Sequence, residues 1–299
     1  MKTIKQRISY AVMGLMAMGF TACTQNEDMT PTLKGQEINA TFSVGGMQTR
    51  VNTLGYGDNW EDKDELKVTI FTDYDPGSTT VLSYNSATNE WPRTRIFRWL
   101  NEYERHTILA VYPSDTDFGK NNLQYDLQTD QSSEDKLKNA DLITGYWYDY
   151  PKFNVRIPMK HRMSLVTIVY HVGTADYPNM DISEPQVYSK HTNVDFERNQ
   201  DQGQFVMNTP SGNPVWVQAC KHDDGMFSAI VIPGSYKTGE IFVKFKIGDK
   251  NFHAKMKSDT EFQEGHRYTY KLDIGKDKVE LTRISVDNLK GWTNEDELK

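Results

Sequence analysis

From Ile38 the chain alternates, with apolar residues at Ile38, Ala40, Phe42 and Val44 and polar ones at Asn39, Thr41 and Ser43. A period of two marks a strand that buries one face. Gly45-Gly46 ends it, and a polar stretch carrying Thr49-Arg50 leads into a glycine-containing segment, which places Arg50 on an exposed connection. Short apolar runs separated by turn residues predict further strands over 66–71, 79–84, 107–112, 142–150, 153–157 and 165–172, a spacing typical of a β-sandwich. One short helix is predicted over 133–139. There Ser133 can cap the first turn, and Glu134 and Asp135 suit the positive end of the helix dipole.

The second half repeats the pattern. Residues 215–220 and 226–232 flank Asp224-Gly225, a pair suited to a tight hairpin. Ile241, Val243, Phe245 and Ile247 share a face, Gly248-Asp249 turns the chain, and Phe252, Ala254 and Met256 return. Tyr268, Tyr270, Leu272 and Ile274 mark another strand. Val279 and Leu281 are in phase with each other, but Ile284 and Val286 are one position off, which predicts a bulge or a break near Arg283. The reading is all-β, with two abutting β-sandwiches over 36–160 and 161–299.

The N-terminus has a different character. Lys2, Lys5 and Arg7 precede an apolar stretch over 10–20 that is too short to span a bilayer, which is the form of a secretory signal over 1–22. It ends at Thr21-Ala22-Cys23, which resembles a lipobox where Cys23 is acylated after cleavage; the alternative is a plain signal with an unrelated cysteine. Residues 23–35 then read as a tether. The Glu27-Asp28 pair resembles export signals of surface lipoproteins and serves equally as a solvated linker.

Charge narrows the partners. Lys plus Arg number 34 against 41 Asp plus Glu, and loss of the signal leaves 31 against 41. Nucleic acid and anionic lipid are therefore disfavoured partners, and membrane attachment would have to come through a lipid on Cys23.

Several features recur in a recognisable order: the lipobox, Thr49-Arg50, Trp60, Asp64, Trp91, Trp99, Ala110-Val111-Tyr112-Pro113, Asp141-Leu142 and His161. Ala229 to Pro233, Gly265 to Tyr270, Ile284 and Trp292 complete the series. In this order they resemble the fimbrillin-like family, subunits of Bacteroidota type V pili. That resemblance implies two transthyretin-like β-sandwich domains and export as an outer-membrane lipoprotein precursor. It also implies cleavage after Arg50 by an arginine-specific protease, and assembly with other pilus subunits on the cell surface by strand exchange. The removable strand over 36–50 would carry Ile38, Ala40, Phe42 and Val44. The donor would be the segment with Ile284, Val286, Leu289 and Trp292, which equally well completes its own domain.

Other chemistry is thinly supported. Ser133, Ser211-Gly212-Asn213 and Lys237-Thr238-Gly239 follow the order of penicillin-recognising enzymes, but Ser133 lies in a polar stretch and only 23 residues separate Asn213 from Lys237. Gly234 to Gly239 has phosphate-loop spacing, with Glu240 where a lysine is needed. The seven histidines form no pair at metal-binding spacing, so no catalytic residues, metal or cofactor are expected. Cys220 reads as a small buried residue. Tyr146, Trp147, Tyr148 and Tyr150 put aromatics on both faces of one strand, which suits a core or a sugar platform. A non-polymerising surface lipoprotein that binds a glycan or host ligand is the alternative function.

Overall fold

Residues His106–Tyr112 form a strand, β4, buried along its whole length. Ile108, Ala110 and Tyr112 enter one apolar cluster, and Leu109 and Val111 enter another. Such a strand must be covered on both faces, and the architecture follows from that need. The computed structural model describes residues 32–44, 60–172, 181–222, 225–275, 279–288 and 293–294, with side chains as far as Leu281.

β4 lies within a six-stranded sheet with β1 (Asn39–Val44), β2 (Glu65–Phe71), β3 (Ser78–Ser83), β6 (Ile143–Asp149) and β7 (Asn154–His161), in the order β1-β7-β6-β4-β2-β3. One face of this sheet is covered by irregular chain, because Trp91, Phe97 and Trp99 pack over Leu66, Val68, Ile108 and Ile157. The other face meets a three-stranded sheet of β5 (Asn122–Asp126), β10 (Asn193–Asn199) and β11 (Gln204–Met207). Leu123, Phe196 and Phe205 share that cluster with Leu109 and Val111. The predicted helix forms as α1 (Glu134–Asn139), with the Ser133 hydroxyl accepting from the Lys136 amide. Buried Leu137 anchors it, and the Tyr125 hydroxyl donates to the Ala140 carbonyl just past its end at 2.6 Å.

The second half pairs two sheets. One contains β9 (Ile182–Ser189), β12 (Val215–Gln218), β16 (Ile241–Ile247) and β17 (Lys250–Lys255). The other contains β8 (Ser164–Val172), β13 (Cys220–His222), β14 (Met226–Val231), β19 (His266–Ile274), β20 (Val279–Asn288) and β21 (Thr293–Asn294). Their inner faces share Val187, Val243, Phe245, Ile168, Ala229 and Leu272. A small pair, β15 (Gly234–Tyr236) and β18 (Thr260–Phe262), brings Tyr236 onto Phe262, with ring centroids 4.6 Å apart.

Several features differ from the sequence-based expectation. Residues 215–220 do not form one strand: the chain leaves the β9 sheet at Gln218 and joins β14 from Cys220, while the Ala219 amide bonds Pro185 at the crossing. The strand expected from Phe153 begins at Asn154 and continues to His161, leaving Phe153 exposed. The midpoint near residue 160 is bridged, because β10, from beyond it, pairs with β5, from before it. Arg162 sits at this passage. Buried, it donates to the Phe205 carbonyl at 2.6 Å, pairs with Glu264 at 3.0 Å and lies over the Phe196 ring.

Candidate assembly groove

β1 is the edge strand of the first sheet and runs parallel to β7, with Asn39 opposite Asn154 and Val44 opposite Met159. Ile38, Ala40, Phe42 and Val44 are all buried, as the alternation requires. Their neighbours are Val155, Ile157 and Met159 on β7 and the irregular segment from Trp91 to Trp99. Just ahead of the strand the chain pairs with that segment: the Ile38 amide donates to the Phe97 carbonyl at 3.0 Å and the Trp99 amide to the Gln36 carbonyl at 3.1 Å.

Phe42 is the aromatic anchor. Its ring meets Trp91 edge-on at 5.4 Å, and Trp91 is flanked by Trp60 at 5.3 Å and Tyr84 at 5.2 Å. Trp60 also donates its indole N–H to the Phe42 carbonyl at 2.8 Å, on a strand that has no second ladder among the described residues. Trp60 is held by the turn after it. Buried Asp64 accepts from the Glu61 amide at 2.7 Å and pairs with Lys138 of α1 at 2.6 Å, while Glu61 reaches the same ammonium at 2.8 Å. Burial alone would lower the Lys138 pKa, and the two carboxylates outweigh it and raise it.

The wall behind Ile38 depends on His106, which is fully buried beside Trp99 at 5.1 Å. Its Nε2 accepts from the Leu100 amide at 3.1 Å and its Nδ1 faces the Glu104 carbonyl at 3.0 Å, so the ring is neutral with the proton on Nδ1. Burial holds its pKa below the ordinary 6.5. A depressed histidine pKa contributes stability that is intact above 6.5 and is lost as pH falls, because the unfolded chain takes the proton more readily. Thermal unfolding between about pH 7.5 and about pH 5.5 is therefore expected to show a falling midpoint, with part of the slope missing in His106→Gln. An identical slope in both proteins would contradict this role.

The residues that carried the family resemblance are mostly packing and junction residues. Asp141 and His161, twenty positions apart, meet at 2.6 Å. Gly265 takes φ +67° with its amide on the Met163 carbonyl, and an added Cβ would sit 3.1 Å from the His161 carbonyl oxygen. Trp60, Trp91 and Trp99 line the groove. The remaining candidates fall elsewhere. Cys23, Arg50, Leu289 and Trp292 lie outside the described residues. Ile284 and Val286 lie on β20, which pairs antiparallel with β19 of the same chain. The ladder passes from Tyr270–Arg283 to Thr269–Ser285, so Ile284 is the extra residue of a bulge, matching the phase slip in the sequence.

The enzyme-like elements are occupied otherwise. Ser133 caps α1, and Lys237 and Thr238 bind Asp259. Cys220 is buried. Tyr146 is packed in the core, whereas Tyr150 is half exposed, with the Arg105 guanidinium over its ring at 5.5 Å.

The model of the fimbrillin-like family matches residues 49–288. The chain belongs to the fimbrillin-like family. The fold of this fimbrillin-like protein is similar to that of a candidate cell adhesion protein from Bacteroides uniformis, with TM-score 0.59 at 16% identity over 85% of this chain and 97% of that one. A second candidate cell adhesion protein, from Bacteroides ovatus, gives TM-score 0.60 at 15% identity over 87% and 98%. No curated protein matches the chain.

The sequence reading missed the groove's closest partners. β7 was legible as a strand, but its parallel pairing with β1 was not. Phe97 and the clamp from Trp60 also carry no periodic signal, since they reach β1 from irregular chain.

Proposed function

We propose that this fimbrillin-like protein is a structural subunit of a surface pilus of type V, serving adhesion and completed by strand exchange between neighbours. The observation that carries the reading is β1: an edge strand whose Ala40, Phe42 and Val44 are buried together with Ile38 just ahead of it, joined among the described residues by one ladder and a short bridge. In this reading the precursor is an outer-membrane lipoprotein acylated at Cys23. An arginine-specific protease cuts after Arg50, β1 leaves, and a strand from another subunit fills the groove. An exposed edge with a row of apolar pockets is a general template for strand addition.

The donor is either a sister subunit's strand or the segment with Ile284, Val286, Leu289 and Trp292. Donation by that segment is an exchange, since β20 is paired with β19 at home. The family match and the similar folds support a pilus or adhesion role; cleavage, lipid and donor are inferences from the residues.

The test is the N-terminus of protein extracted from the cell surface. Polymers should begin at Val51, and Arg50→Ala should keep the upstream residues and stay monomeric. Polymers retaining Cys23 throughout, or unimpaired assembly by Arg50→Ala, would reject cleavage-driven exchange, and monomers that all keep a lipidated Cys23 would favour a non-polymerising, ligand-binding lipoprotein.

A further inference from the structure

Among the described residues seven large apolar side chains are exposed, and five of them gather at one end of the first sheet. The strand registers define that end. Phe71 of β2 lies opposite Thr107 of β4, His106 opposite Asp149 of β6, and Asn154 of β7 opposite Asn39 of β1. The loops leaving these positions carry Tyr74 (87% exposed), Tyr103 (76%), Tyr150 (49%) and Phe153 (63%). Ile96 (53%) joins them, because its carbonyl accepts from Ser78 at the same end of β3. Isolated apolar residues are ordinary on a surface, but a cluster drawn from three separate connections marks a contact surface.

The path of the chain identifies what covers it. Residues 33–36 enter the fold at this end: the Gly35 amide bonds Trp99 and the Lys34 amide approaches Glu102. Leu33 stands only ten positions after Cys23. Ten residues reach at most about 35 Å when extended and average about 18 Å as a flexible coil. At the opposite end of the sheet β7 passes directly into β8 through Arg162 and Met163.

We propose that this aromatic end rests in the headgroup region of a bilayer while the chain is tethered through Cys23. The proposal rests on the lipoprotein reading above. Tyrosine and phenylalanine suit that zone, having an apolar body and, in tyrosine, a polar tip. Lys34, Arg105 and Lys152 stand among Asp73, Asp75, Glu102, Glu104 and Asp149, so this end is more acidic than basic and suits zwitterionic headgroups better than an anionic surface. In this orientation β1 runs away from the membrane, so the connection carrying Arg50 departs from the far end of the strand.

Amide hydrogen exchange of the full-length acylated protein in phosphatidylethanolamine–phosphatidylcholine vesicles, compared with soluble Cys23→Ser, tests this. Residues 72–77, 100–105 and 150–153 should exchange more slowly only when tethered, while the turn over 85–90 at the far end should not change. The combined variant Tyr74→Ser, Tyr103→Ser, Phe153→Ser should lose that protection. Equal exchange in the tethered and free proteins overturns the proposal, as does protection by soluble oligosaccharides in place of vesicles. Mass analysis of the N-terminal peptide reads acylation separately. If Cys23 carries no lipid, the lipoprotein reading fails on its own, and a maleimide lipid coupled to Cys23 supplies the tether for the same comparison.

Discussion

A chain that starts at Val51 is expected to be destabilised by on the order of 5–10 kcal/mol, from roughly 1.5–3 kcal/mol for each large side chain withdrawn and less for alanine. Ile38, Phe42 and Val44 leave buried positions, Trp91 loses its edge contact and the β7 ladder loses a partner. A domain is typically stable by only 5–15 kcal/mol, so such a chain should either associate or fail to hold its first half together. Denaturant unfolding of the two forms measures the loss. A synthetic peptide spanning residues 36–46 should restore most of it, and the same peptide carrying Phe42→Ala should restore much less, since Phe42 fills the aromatic recess. A Val51 chain that melts like the intact protein, remains monomeric and ignores the peptide would show that the strand contributes little to the fold.

Removal of residues 279–299 should be at least as damaging. β20 is internal to its sheet, lying between β19 and β21, and its ladder with β19 runs from Ile274–Val279 to His266–Asn288. Leu281 is buried. Losing that side chain together with a ladder of this length is worth on the order of 5–10 kcal/mol, at about 1 kcal/mol per net hydrogen bond plus the apolar contribution. The truncated chain should therefore lose the cooperative unfolding of its second half, followed by circular dichroism and proteolysis. A truncated chain as stable as the full one would mean that the segment is held only for a neighbour.

The contrast between β1 and β20 shows what could be read in advance. β1 announced itself through strict alternation, and every apolar position in it is buried. The slip of phase between Leu281 and Ile284 was visible for the same reason and corresponds to the bulge. β9 escaped because Pro185 and the positive φ of Glu184 interrupt its pattern, and β10 because its two inward residues, Val194 and Phe196, stand among Asp195, Glu197 and Arg198. The crossing at Ala219 joins two β segments with no turn residue between them, so nothing in the sequence marks it. Pairing direction was illegible too, since it is fixed by residues far away along the chain. The family resemblance located the groove's tryptophans but could not say that they cover the strand from an irregular segment.

Those distant pairings set the tempo at which the chain reaches its native state. Asn39 must find Asn154, 115 positions downstream, and β5 must wait for β10. Closing such long loops takes entropy before any contact rewards it, and β proteins dominated by remote pairs fold in milliseconds to seconds, not microseconds. The pairing of β1 with β7, the most remote in the first sheet, is therefore among the contacts that slow the whole chain's arrival at its native state.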